Sequence, residues 1–450
     1  MTDQEILQAN ALHFIGIGGI SMSGLAHMMI QRGVAVSGYD RKLSHLTDRL
    51  IACGARVSDD PEMSMQGARA VVATAAIARD DPQMRQAHEL GLPVIARAKL
   101  LALLMEQSPC GVGICGTHGK TTTTAMAATA LLACDTDPSI HIGGELAILG
   151  GTTRMGQGDI FLTEADEYAH SFLQLDPRVA VVTNIEHDHP DVFPTMAHML
   201  KAFTDFFALL PAEGMLIYNT QDANAAQLAA GAACKIVGFS VEGEAEADAR
   251  DLQLHRHGSE FVFVWQGTRT PVRLRLPGRY NIENATAAMT LMAVLGLDLT
   301  VAAQALGTFD CAGRRFEDKG KTPRGARVIL DYAHHPTAVR SLLCAARQSC
   351  VGKIYLAFQP HTYSRTRALM DDFAAALREG DHTYITPIWA AREADDGTRS
   401  EDLAAMAGAE YAPDFAGLAA HLRATAGPED LVLAVGAGDV DRLAELLVKE

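Results

Sequence analysis

The sequence predicts an α/β protein of about three domains. Apolar runs of strand length alternate with stretches of helical spacing, and several of those strands break at glycine or polar residues before the next helix. The chain has 450 residues, roughly three times a common domain length. A hydrophobic content of 48% with 20% charged residues supplies core material for each domain and excludes disorder or a small stapled scaffold.

The elements follow in order. Residues 11–20 (ALHFIGIGGI) form a buried strand running into a glycine turn, and residues 21–33 have helical spacing closed by Gly33. VAVSGYD is a second strand ending at Asp40, which makes a βαβ opening. Residues 69–77 (strand), 84–91 (helix) and 92–107 (strand, helix) continue it, and Ser108-Pro109 punctuates the chain. A second βα start follows in CGVGICG, GTHGKTTT and the helix TTAMAATALLAC. GDIFLTEADE and RVAVVTNIEHDH are strands that turn polar at their C-terminal ends, where an open parallel sheet binds ligands. Residues from about 232 to 276 read as antiparallel hairpins inserted into this unit. A third α/β block starts at RVILDYAHHP and continues through KIYLAFQPHTYSRT, HTYITPIWAARE and LVLAVGAGD, with Cys311-Ala-Gly-Arg-Arg as a hinge. The expected domains are 1–107, 108–312 and 313–450.

Charge narrows the function. Lys and Arg number 38 against 54 Asp and Glu, a net charge of −16, which argues against nucleic acid or a membrane surface as a general partner because both are polyanionic. The 8 cysteines form no C-x-x-C pair, so they are expected to be reduced and mostly buried. The first thirty residues carry Asp3 and Glu5 and reach glycines before any long apolar run. No signal peptide or spanning segment is expected, and the compartment is expected to be the cytoplasm.

Gly116-Thr117-His118-Gly119-Lys120-Thr121-Thr122 lies between a strand and a helix. Glycines free backbone N–H groups to wrap a phosphate, the helix start adds positive potential, Lys120 counters terminal phosphates and the Thr121 hydroxyl can ligate Mg²⁺. Ile114 replaces the first glycine of the strict pattern, so this is a shortened phosphate loop. Glu164 closes one neighbouring strand and the run Asn184 to His189 closes another; Glu164 is expected as a metal ligand, with only one of His187 and His189 reaching the metal. The first glycine turn, with Gly16, Gly18, Gly19, Ser21 and Ser23, resembles a dinucleotide fingerprint broken at Ser21. Asp40 is placed for a ribose hydroxyl. The short block and the second nucleotide site favour a UDP-type ligand over NAD.

GIGGISMSG, GTHGKTTT, EADEYAHSFL, NIEHDHPDVF, GRYNIENATAA, AGRRFE, DYAHHPT and FQPHTYSRTR occur in the order and at about the intervals of the Mur ligases of peptidoglycan synthesis, which the chain resembles over essentially its whole length. The resemblance implies a Rossmann-like N-terminal domain for the UDP-sugar, a central P-loop ATPase-type domain with an antiparallel insertion, and a Rossmann-like C-terminal domain that closes over ATP and binds the amino acid. It implies ATP, UDP-N-acetylmuramate and L-alanine as substrates, Mg²⁺ as cofactor, and a monomer or weak homodimer. Lys120 and Thr121 would meet the ATP phosphates and Mg²⁺, with Glu164 and His189 as further metal ligands. Asn281 and Asn284 would face the adenine, Arg315, Asp331 and His335 would reach the nucleotide, and His361 and Arg365 would hold the amino acid. On the residues alone, the less favoured alternatives are Asn281 and Asn284 as helix-capping groups, His334 and His335 as a satisfied turn, and Arg365 as a partner of Asp371 or Asp372. Ala338 and the H-x-D-x-F ending of the 186–193 loop lean toward the sibling that attaches a tripeptide in wall recycling, while FQPH and Y-S-R-T lean toward L-alanine. A nicotinamide oxidoreductase and a silent nucleotide-binding regulator are the readings from other classes.

Overall fold

The computed structural model describes residues 1–74, 77–78, 80–391 and 393–449. The α/β class is as expected. The chain separates into two compact units, one of Met1–Ile185, Leu200–Gly238 and Val294–Asp298, the other of Glu186–Met199, Phe239–Ala293 and Leu299–Glu450.

The first unit opens with a five-stranded parallel sheet in the order Arg56–Ser58, Ala35–Tyr39, Ala11–Ile15, Ala70–Ala73, Val94–Ala96. Its order reverses beside Ala11–Ile15, so the crevice at the carboxyl ends falls where the glycine turn begins. Leu12, Phe14, Ile15, Val71 and Val72 are buried, as a sheet covered on both faces requires. Helix Ile20–Gln31 ends as read from sequence, with Gly33 at φ +80° just past its last turn. The strand expected over 69–77 is Ala70–Ala73; residues 75 and 76 lie outside the described residues.

The same unit holds strands in the order Met215–Asn219, Val179–Val182, Cys110–Cys115, Ile160–Glu164, Ser139–Leu146, Gly151–Arg154. All neighbours are parallel except the last pair. Cys110–Cys115 is central and apolar, and its carboxyl end is flanked by those of Ile160–Glu164 and Val179–Val182. Three loops therefore converge at one sheet edge.

The second unit contains a sheet in the order Glu317–Lys321, Arg327–Asp331, Leu431–Val435, Ile354–Phe358, His382–Ile385, Glu410–Tyr411, antiparallel only in its first pair. The strand expected over 382–393 ends at Ile385, and residue 392 lies outside the described residues. Ala247–His255, Gly258–Trp265 and Thr268–Leu274 form the expected antiparallel hairpins. One pairing departs from expectation: Phe239–Val241 runs parallel to Ala247–Ala249. Asp248 folds the intervening acidic turn back on itself, accepting from Ser240 Oγ at 2.7 Å and Gly243 N at 3.1 Å.

All 8 cysteines are unbridged, but only Cys115 is buried; Cys53 and Cys344 are exposed and the rest half-buried. The expectation of mostly buried thiols fails: Cys344 is on an exposed position of helix Pro336–Ser349, and Cys53, Cys134 and Cys350 stand just past helix ends. Among the described residues no helix is long and apolar enough to cross a membrane.

Candidate active site

Strand Cys110–Cys115 passes through Gly116 into helix Lys120–Ala133. Gly116 has φ +127°, and a Cβ there would lie 2.2 Å from Thr183 Oγ1, so only glycine fits. The loop is clamped by the end of the neighbouring strand: the Thr183 hydroxyl donates to His118 O at 2.6 Å, His118 N donates to Asn184 Oδ1 at 2.9 Å, and Thr117 N donates to Asn184 O at 2.9 Å. Gly119, at φ +83°, is the N-cap that releases the helix.

Lys120 is turned back along this loop. Its Nζ donates to Gly116 O at 2.6 Å and to both oxygens of Glu167 at 3.0 and 2.8 Å, with Glu167 fully buried. Burial alone would push the ammonium's pKa down; Glu167, Asp166 and Glu164 outweigh it and raise it, so the charge is permanent. The Thr121 hydroxyl donates to Glu164 Oε2 at 3.1 Å, and Gly143 N donates to Oε1 at 2.6 Å. Thr121 and Glu164 thus present the hard oxygen donors that suit Mg²⁺. Thr122 is buried in the helix's first turn.

The first glycine turn differs from expectation. Gly16 N and Ile17 N both donate to Tyr39 O, at 2.8 and 3.1 Å, Gly19 N donates to Gly16 O at 3.2 Å, and Gly18 N donates to Asp40 Oδ2 at 2.8 Å. Those amides close the turn on itself, so Gly16, Gly18 and Gly19 do not offer them to a diphosphate. Asp40 is spent likewise, its Oδ1 accepting from Lys42 N at 3.1 Å. Ser23 is buried, with its hydroxyl on Ile20 O at 3.0 Å. Ser21 alone of the polar set reaches other side chains.

In the second unit, Arg365 is 3% exposed. Its Nε donates to Asp188 Oδ1 at 2.7 Å, Nη1 to His361 Nδ1 at 3.1 Å and Nη2 to His189 Nδ1 at 3.2 Å. The expected alternative partners Asp371 and Asp372 are not used; a buried carboxylate is. Both imidazoles accept through Nδ1 and therefore carry their proton on Nε2: in this tautomer His189 has no lone pair to give a metal, against the expectation that it is a ligand, and His361 is an orienting N–H rather than a strong base. Burial, then Arg365, holds His361 down at about 4. His187 closes its own loop, Nε2 donating to Phe193 O at 2.7 Å.

Asp331 ends strand Arg327–Asp331 and accepts from Phe316 N and Ala333 N, each at 2.7 Å. Burial pushes its carboxyl up, with Arg315 opposing. Arg315 lies 4.6 Å over the Tyr332 ring. His335 is the N-cap of helix Pro336–Ser349, accepting from Thr337 N at 3.4 Å, as the turn reading expected. Asn281, in helix Arg279–Val294, donates to Pro277 O at 2.7 Å, a contact back to the preceding loop and not a cap on the helix's free amides, and Asn284 lies one turn on, buried.

Sequence reasoning missed three roles: Asn184 as the loop clamp, Glu167 as the counterion of Lys120, and Asp188 as the partner of Arg365. Each lies inside a motif that was singled out for a neighbour. The first two contacts span 66 and 47 residues and the third spans 177, so no local spacing signals them.

A phosphate loop on a parallel sheet, with a carboxylate from the adjacent strand beside its hydroxyl, defines a nucleotide-binding α/β protein. Three family models cover most of the chain: a Mur ligase family catalytic domain over residues 11–109, a Mur ligase middle domain over 114–292 and a Mur ligase glutamate ligase domain over 314–438. The chain belongs to the Mur ligase family. It is 39% identical to a UDP-N-acetylmuramate–L-alanine ligase of Acetivibrio thermocellus, covering 100% of this chain and 98% of that protein. It is 40% identical to another from Desulforamulus reducens, covering 97% of each. Among solved structures, a UDP-N-acetylmuramate–alanine ligase from Thermotoga maritima matches with TM-score 0.83 at 25% identity over 97% of each chain. A murein peptide ligase from Psychrobacter arcticus shares the fold, with TM-score 0.76 at 21% identity over 98% of this chain and 99% of that one.

Proposed function

We propose that the protein is an ATP-dependent ligase that joins L-alanine to UDP-N-acetylmuramate in peptidoglycan precursor synthesis. The observation that carries this reading is the phosphate loop with Thr121 and Glu164 in contact, in a chain whose full-length relatives are named for that reaction. The domains 1–107, 108–312 and 313–450 divide the work between the nucleotide sugar, ATP and the amino acid.

The chemistry follows from the substrates. A carboxylate is a poor electrophile, so its oxygen first attacks the γ-phosphorus of ATP and ADP leaves. The alanine amine then attacks the acyl carbon of the mixed anhydride, phosphate leaves, and an amide remains. Little covalent work falls to the protein, which positions reactants and neutralises charge. Lys120 supplies a permanent cation at the phosphate loop, and the amides at the start of helix Lys120–Ala133 face the phosphates, those of Thr117 and His118 being held by Asn184. Thr121 and Glu164 would hold Mg²⁺, which draws charge from the phosphoryl oxygens when bound. Asn281, Asn284, Arg315, Asp331 and His335 serve the nucleotide. Arg365 anchors the amino-acid carboxylate through its planar fork, and His361 orients the amine. The compartment is the cytoplasm, where ATP and the nucleotide sugar are available.

Phosphate release from ATP, measured with UDP-N-acetylmuramate and either L-alanine or the tripeptide, tests the reading. Release with L-alanine alone supports it; release only with the tripeptide assigns the recycling reaction, and an NADH absorbance change without phosphate release assigns an oxidoreductase.

A further inference from the structure

Helix Arg97–Met105 begins directly after the edge strand Val94–Ala96, so Arg97 stands at the carboxyl edge of the five-stranded sheet, where the glycine turn also lies. Its Nη1 donates to Ser21 Oγ at 2.8 Å. Ser21 Oγ is 2.9 Å from His141 Nε2, His141 Nδ1 is 3.1 Å from Thr163 Oγ1, and the Thr163 hydroxyl donates to Glu164 O at 3.2 Å. One set of proton positions satisfies these four contacts, leaving aside the longer approach of His141 Nε2 to Ser21 O at 3.5 Å. Thr163, having given its proton to the carbonyl, accepts from His141 Nδ1–H; Nε2 then accepts the Ser21 proton, and the Ser21 oxygen is left to accept from Arg97. His141 and Thr163 are 3% and 0% exposed. Burial, then the Arg97 charge, holds His141 at about 4, so the ring stays neutral and keeps this tautomer at neutral pH.

The arrangement fixes one N–H of a half-buried guanidinium and leaves four. Among the described residues no carboxylate pairs with Arg97. A cation rigidly aimed at a sheet's ligand edge without a counterion is built for an anion that arrives with a ligand. The neighbouring glycine amides are turned inward, so the usual source of phosphate contacts in such a turn is missing.

We propose that Arg97 binds the diphosphate of the nucleotide-sugar substrate and that Ser21 and His141 are the positioning residues that aim it. The proposal rests on the reading of the first domain as the nucleotide-sugar domain. It gives Ser21 a role: a glycine there would leave Arg97 untethered.

Calorimetric titration of the full chain with UDP, UDP-N-acetylglucosamine and UDP-N-acetylmuramate tests it without turnover. Arg97→Met is expected to weaken all three by roughly 10- to 100-fold, the range for lost charge-assisted hydrogen bonds, while the KM for ATP is unchanged. Ser21→Ala is expected to weaken them by about 3- to 10-fold, and Ser21→Thr, which keeps the hydroxyl, to restore binding. Arg97→Lys, which keeps charge and loses the fork, guards against a folding defect and should fall between. Unchanged UDP affinity in both Arg97 variants overturns the proposal. So does a loss confined to UDP-N-acetylmuramate, which would place Arg97 on the lactyl carboxylate. Failure of the wild-type chain to bind any of the three would instead sink the nucleotide-sugar reading itself.

Discussion

Arg365 Nε donates to Asp188 Oδ1 at 2.7 Å, and each side chain is only 4% exposed. The pair ties Arg365, the proposed amino-acid anchor, to the residue preceding His189. Burial alone would raise the Asp188 carboxyl; Arg365, His189 and His334 hold it well below the usual carboxylate range. Removing one partner strands the other as a buried charge, at a cost of about 3–5 kcal/mol.

Arg365→Met should therefore lower the urea midpoint and raise the KM for L-alanine steeply, with the KM for ATP nearly unchanged. Adding Asp188→Asn should recover much of the stability and none of the alanine affinity. Recovery of both would make the pair purely structural.

Lys120 and Glu167 form a second buried pair, at 2.8 Å with 15% and 1% of the side chains exposed. Lys120→Met should remove turnover, leaving under about a hundredth of the wild-type rate, and should also destabilise the protein by stranding Glu167. Lys120→Met with Glu167→Gln should regain stability while remaining inactive. A double variant that turns over at near wild-type rate would end the phosphate-loop assignment.

How much of this was legible in the sequence depends on the range of each contact. The phosphate loop, Glu164 and the strand-to-helix steps are local patterns, and each stands where its spacing put it. Asp40 was legible as a strand-end carboxylate, but its use was not: it caps Gly18 N across 22 residues instead of facing outward. Residues 232–276 read as antiparallel hairpins throughout, but Phe239–Val241 pairs parallel with Ala247–Ala249, across a turn that Asp248 holds through Ser240 and Gly243. Residues 92–107 read from sequence only as a strand and a helix, and the significance of Arg97 emerges only once Ser21 is brought to it.

Stability should fall in acid through buried neutral rings, with His13 and His141 joining His361. His13 accepts from Ser37 Oγ at 2.9 Å and donates to Gln83 Oε1 at 2.8 Å, and burial lowers it to about 4, as it does His141. The unfolded chain takes up each proton near 6.5, so between pH 6.5 and 4 it binds more protons than the folded one. Stability is full above that window and drops as pH falls, by up to about 1.4 kcal/mol per pH unit for each ring. His13→Asn should be less stable at pH 7.5 yet show a shallower acid slope in urea midpoints. An unchanged slope would remove His13 from the account.

Isotope transfer tests the central claim, that the phosphate loop activates a carboxylate as its acyl phosphate. With UDP-N-acetylmuramate doubly labelled with ¹⁸O in the lactyl carboxylate, one labelled oxygen should become the bridge to phosphorus and leave in inorganic phosphate, while the other stays in the new amide. Mass spectrometry of the phosphate should then find one ¹⁸O per turnover. Unlabelled phosphate, with the oxygen lost from the carboxylate appearing in water, would contradict the account.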